Sequence, residues 1–181
     1  MQAKKKMLKL KPLKPEDRKA VTSMIVEVVK CKVDKLLPGK LYGQYGGSHI
    51  DVYSINESLL TRVKQLSYHG INPYSAGLYT ATIWRNQKVE PSLDLAKHIW
   101  MKCNPAEYRH TVISESGEKI FLYGKDVFHG NIVQTNTEFG LTIVTNTRGE
   151  PLGWGFLRRK NGKELLIENI KDVGWYVRAG G

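Results

Sequence analysis

What most constrains the fold of this chain is a change of texture at Tyr108. Six short β-prone runs, at 108–114, 119–122, 132–135, 141–145, 152–157 and 164–167, follow one another with Gly, Asn or Asp between them. Runs so short and so closely spaced predict a small barrel or sandwich.

Upstream the pattern is mixed. Residues 1–14 hold six lysines and no acid, alternating with Leu8, Leu10 and Leu13, which reads as a mobile basic arm with at most a short strand. Pro15 followed by Glu16 and Asp17 starts a helix, because proline has no N–H to satisfy there and the acids face the positive end of the dipole. Val21, Met24, Ile25, Val28 and Val29 give it one apolar face, and Pro38-Gly39 ends the segment. The glycines at 43, 46 and 47 make 41–48 read as a turn. Ile50, Val52 and Tyr53 suggest a strand, and Ser54 with Glu57 has capping-box spacing ahead of a second helix running to about Tyr68. A loop around Pro73, a β-rich stretch at 78–84, a turn at 85–87 and a third helix opened by Pro91-Ser92 complete the first half. The fold class is thus α+β: an N-terminal α/β domain with a basic arm over residues 1–104, then a small β-barrel-like domain over 105–181.

Charge narrows the partners. The sequence has 28 Lys and Arg against 17 Asp and Glu, a net +11, and such an excess favours a polyanion, most often nucleic acid. Residues 1–104 carry 18 basic and 8 acidic residues, whereas 105–181 carry 10 and 9. Whatever the second half binds, it binds through local patches.

Catalytic patterns are missing. The sequence has no GxxxxGK[ST], no GxGxxG between a strand and a helix, and no HExxH among His49, His69, His98, His110 and His129. Those histidines read as solvated or hydrogen-bonded side chains, so no enzyme, cofactor or metal site is expected. Gly43-Gln44-Tyr45-Gly46 fits the GxxG of a KH loop, but a strand follows where a helix is needed. Cys31 and Cys103 form no CxxC pair and read as buried or idle thiols. With no charge-then-apolar leader and no apolar run near the length of a membrane span, a soluble, intracellular protein is expected. The sequon at Asn56 is discounted accordingly.

The most suggestive local feature is Pro151-Leu152-Gly153-Trp154-Gly155-Phe156-Leu157, followed at once by Arg158, Arg159, Lys160, Asn161, Gly162 and Lys163. The glycines let another backbone pass close to a strand, and the basic turn could meet successive phosphates without reading bases. A solvated hairpin tip would fit the charges equally well.

Phe121-Leu122-Tyr123-Gly124, then Gly140-Leu141-Thr142-Ile143-Val144, then the Pro151–Gly155 stretch and Asp172-Val173-Gly174-Trp175-Tyr176-Val177-Arg178 resemble the PUA domain, an RNA-binding module. More narrowly they are similar to a ribosome-biogenesis factor family of archaea and eukaryotes, whose members carry FLYG, GL-x-V, PLGxG and a DxGxYxR ending. Val52-Tyr53, the helix at 59–66 and Leu95-Ala96-Lys97-His98 occur in that family's order. The lysine-rich start and the stretch at 101–116 depart from eukaryotic members, which favours an archaeal source and the cytoplasm over the nucleolus.

The resemblance implies binding of pre-ribosomal RNA, preferentially uridine-rich single strands, in large-subunit assembly. The partners it implies are other assembly factors and subunits of the RNA exosome, and an adaptor that recruits or restrains the exosome is the alternative reading. By resemblance, the RNA contacts fall on Arg158, Arg159, Lys160 and Lys163, with Arg178 either joining them or pairing with Asp172. Trp154 and Trp175 could stack bases but read as core residues. The N-terminal domain is expected to dock a protein partner, and the chain to be a monomer.

Overall fold

Pro15, Glu16 and Asp17 do open a helix, α1, at Pro15–Val28, and Asp17 is buried in its first turn. The computed structural model describes residues 9–71, 73–160, 162 and 164–179. They divide into two units, Met1–Met24 with Val33–Leu95 and Ile25–Lys32 with Ala96–Gly181, so the division falls inside α1 and again inside α4, Leu93–Lys102. Among the described residues no helix is long and apolar enough to cross a membrane.

The first unit is an antiparallel meander in the order β1 (Leu10–Pro12), β2 (Lys40–Tyr45), β3 (His49–Ile55), β4 (Leu78–Trp84) and β5 (Val89–Pro91). A four-residue helix, α2 (Val33–Leu36), precedes β2. Helix α3, Glu57–Tyr68, brings Val63, Leu59 and Leu60 onto Tyr53, Ile55 and Tyr79 of the sheet. Burial pushes the Tyr53 phenol up to about 12, as expected for a hydroxyl whose ionised form would lose water. His49 is hydrogen-bonded, with Ser48 Oγ at 2.9 Å and Asp51 Oδ2 at 3.4 Å.

Three local readings need correction here. The stretch at 41–48 is mostly strand β2, with the turn confined to 46–48. Gly43 serves packing instead, since a Cβ there would come within 2.8 Å of Leu13 and Ile50. Asn56, not Ser54, caps α3 by accepting from the Leu59 N–H at 2.8 Å. Ser54 is wholly buried and exchanges hydrogen bonds with Gly39 instead, at 2.9 and 3.1 Å. The basic arm lies partly outside the described residues, and its described end supplies β1.

The second unit is a six-stranded sheet in the order β7-β11-β10-β9-β6-β8, curled into a half-barrel. Its strands are β6 (His110–Ile113), β7 (Val127–Phe128), β8 (Ile132–Thr135), β9 (Gly140–Thr145), β10 (Pro151–Lys160) and β11 (Glu164–Asp172). All pairs are antiparallel except β6 with β9. The run expected as a strand at 119–122 is the end of a helix, α5, Glu115–Leu122. Ser114 caps it by accepting from the Gly117 N–H at 3.1 Å, and that start outweighs the β propensity of Ile120 and Phe121. Phe121 fills the barrel core with Ile113, Val127, Val144, Leu152, Leu157 and Ile167. The mixed α+β class and the barrel-like C-terminal sheet are as the sequence predicts.

Residues 25–32 are sewn into this second unit. Val29 makes an antiparallel bridge with Tyr108, the Lys30 N–H donates to the Glu107 carbonyl, and the Arg109 N–H donates to the Val28 carbonyl. Glu27 accepts from Arg109 at 3.2 Å and from the Leu141 N–H at 3.3 Å.

Candidate nucleic-acid interface

Strands β10 and β11 pair over most of their length, with Arg158 opposite Leu166, Arg159 opposite Leu165 and Lys160 opposite Glu164. Arg158, Arg159 and Lys160 therefore lie in the strand itself, and the pleat sends alternate side chains to opposite faces. Arg158 and Lys160 share one face with Phe156, while Arg159 follows Leu157 on the other.

On the first face, Arg158 Nε donates to Glu168 at 2.6 Å, and the Lys160 ammonium sits 5.1 Å from the centre of the Phe128 ring. Phe128 lies across β11 from Arg158, since Leu166 pairs with both. At the other flank Phe139, just before β9, meets Phe156 edge to face at 5.1 Å. Phe128 and Phe139 are 52% and 62% exposed. On the opposite face Arg159 lines an open groove with Thr135, Asn136, Thr137, Glu138 and Leu165. Lys163 lies outside the described residues.

Arg178 stands apart from this hairpin end, beside Asp172 at the far end of β11. It follows Trp175 on the short helix α6, Trp175–Ala179, and makes two hydrogen bonds to Asp172, at 3.0 and 2.8 Å. It also donates to the Leu122 carbonyl. Asp172 is 1% exposed, and its carboxylate holds the proton on Arg178 more tightly than usual. Gly124 and Gly174 leave room for the guanidinium, because a Cβ at either would press on it. The FLYG and DxGxYxR motifs thus meet around one ion pair. Gly153 does a related job for PLGxG, since a Cβ there would run into the β11 backbone at Lys171. Trp154 is wholly buried, as read from sequence, but Trp175 is 49% exposed and packs edge to face on Tyr176.

This arrangement is that of a known family. The model of the UPF0113 PUA domain matches residues 109–181. A UPF0113 protein of Aeropyrum pernix is 31% identical over 173 residues, covering 96% of this chain and 94% of its own length. The chain belongs to the UPF0113 family. Another UPF0113 protein, of Archaeoglobus fulgidus, is 29% identical and covers 73% of this chain and 75% of its own. Among solved structures, a hypothetical protein of Pyrococcus horikoshii superposes with a TM-score of 0.60 at 16% identity, covering 93% of this chain and 99% of its own. A conserved PUA-domain protein of Thermoplasma acidophilum gives 0.54 at 15% identity, with coverages of 91% and 93%. The last two show the fold.

Sequence reasoning found the cations of this UPF0113 chain but missed the aromatics beside them. Phe128 and Phe139 sit in turn-rich stretches, and only the register of β7, β9, β10 and β11 brings them to the hairpin. Among the described residues no group of three His, Cys, Asp or Glu is placed to hold a metal ion.

Proposed function

We propose that this UPF0113 protein is a non-enzymatic RNA-binding factor of large-subunit ribosome assembly, which grips uridine-rich single-stranded pre-rRNA through its PUA domain. The observation that carries the reading is the run of three cations at the end of β10, two of them on one face with Phe156 and Phe128. In a half with almost no net charge, such a concentration favours phosphates over general attraction. Arg158, Arg159, Lys160 and Lys163 are proposed as the contacts. Arg178 is assigned to holding the barrel's end, because its fork is engaged by the buried Asp172 and by Leu122, whereas the Arg158 pair with Glu168 is open to solvent.

The protein would act as a monomer in the cytoplasm of an archaeal cell, alongside other assembly factors and the exosome. If four phosphates of a single strand are engaged, raising salt from ~50 to ~200 mM weakens binding roughly 50-fold. A salt-titrated assay on uridine-rich RNA should show Arg158→Ala/Arg159→Ala losing most of the affinity and about half of the salt slope. If that double variant binds like wild type, the hairpin is not the RNA site and the exosome-adaptor reading moves ahead.

A further inference from the structure

We infer that Phe128 and Phe139 are stacking platforms for unpaired RNA bases on either flank of the β10 cations. The inference rests on the RNA-binding reading and adds what the strand is chosen by. Two phenyl rings more than half exposed, one on each side of a strand carrying Phe156, Arg158 and Lys160, form an alternation of apolar planes and positive charge. That is the pattern a single strand needs, because its bases have free faces and its phosphates lie between them. A duplex hides those faces.

Each ring has one neighbour that orients it. Phe139 stands edge-on to Phe156, and the Lys160 ammonium lies over Phe128. A cation over an exposed ring is held only weakly. An arriving base can take that position while the flexible lysine turns to the adjacent phosphate.

The test compares wild type, Phe128→Leu and Phe139→Leu on uridine-rich single-stranded RNA and on the same oligonucleotide carrying abasic sites. Each variant should lose roughly 5- to 150-fold in affinity for intact RNA, with an unchanged salt slope. Wild type should lose roughly the product of the two factors on the abasic strand, and the variants should bind that strand about as wild type does. Variants that bind intact RNA like wild type, or that lose as much on abasic RNA, overturn the platforms while leaving the RNA-binding reading standing. Wild type that binds no RNA at all overturns both.

A separate observation carries a second proposal: Cys31 and Cys103 are a site of reversible disulfide formation. They are 72 residues apart in sequence, yet their sulfurs lie 3.3 Å apart, with one thiol hydrogen-bonded to the other. Both are free thiols in the structure, Cys31 partly exposed and Cys103 buried. Burial, helped by the contact with Cys31, pushes the Cys103 thiol up to about 12. Cys31 therefore meets an oxidant first. Its thiolate attacks one sulfur of a small-molecule disulfide, forms a mixed disulfide and expels one thiolate. Cys103 then passes its proton to the thiolate just expelled and attacks the Cys31 sulfur, expelling the second, which takes a proton from water. Two protein thiols are oxidised and one small disulfide is reduced to two thiols. The sulfurs need to close by only about 1.3 Å to reach bonding distance.

The folded protein should be incubated with oxidised glutathione and read by intact and peptide mass spectrometry. Wild type should lose two hydrogens and yield a Cys31–Cys103 cross-linked peptide, while Cys103→Ser should keep a glutathione adduct on Cys31. A wild type that keeps the adduct, or whose two thiols stay reduced, overturns the pairing.

Discussion

Arg178 and Asp172 show what a single pair can decide. Asp172 is almost wholly buried, so removing its partner leaves a carboxylate with no counter-charge. Arg178→Ala should lower stability, read as a downward shift in the urea midpoint. Arg178→Lys should recover little of that, because an ammonium cannot make the two parallel bonds. Neither should change the salt slope of RNA binding, and a slope that falls in Arg178→Lys would return Arg178 to the interface. Asn146 makes a second case. It is 1% exposed and its side-chain oxygen accepts from the Arg148 and Glu150 N–H groups, both at 3.0 Å, while its amide donates to Glu150 at 2.7 Å. That amide bond, followed by one from Arg148, lowers the pKa of Glu150. A carboxyl whose folded pKa is depressed adds stability above its unfolded pKa and loses it as pH falls through the folded value. Asn146→Asp should therefore raise the Glu150 pKa in an NMR titration, with the added charge contributing to the rise, and make acid unfolding begin at higher pH.

At the scale of elements, the PLGxG strand is the critical one. Gly153 lies where β11 passes closest, and Gly153→Ala should cost about 2–3 kcal/mol or prevent folding, since the neighbour in the way is backbone and cannot turn aside. The value can be read from thermal unfolding followed by circular dichroism. The same strand explains what was legible beforehand. Alternating or continuous apolar runs identified β8, β9, β10 and β11, and Ser92 before Leu93 marked α4, where its hydroxyl accepts from Leu95 at 3.0 Å. Local chemistry misled where a short segment could serve two ends. Ile120 and Phe121 prefer strands but sit on a helix started six and seven residues earlier by Ser114, and Gly43 looked like a turn because its packing role depends on Leu13, thirty residues away. The cations of the candidate site could be read directly, whereas Phe128 and Phe139 joined them only through strand register. The proximity of Cys31 to Cys103 had no sequence signal at all.

For the whole molecule, the proposed function predicts two separable contributions of the uneven charge to RNA binding. The first eight residues include Lys4, Lys5 and Lys6. Deleting them should weaken RNA binding by a factor that vanishes at high salt, read in the same titration. Cutting further would remove β1 and the buried Leu13, which confounds the comparison. The placement of residues 25–32 has its own consequence, in time. They reach the exit of the ribosome long before Tyr108, the residue Val29 bridges to. At ordinary rates of synthesis the delay is roughly 4–16 s. For that interval Ile25, Val28 and Val29, all buried in the finished protein, lack residues 96–181, with which 25–32 form one unit. A newborn chain of this family should therefore be most vulnerable to capture by chaperones, or to aggregation, midway through its translation rather than at its end.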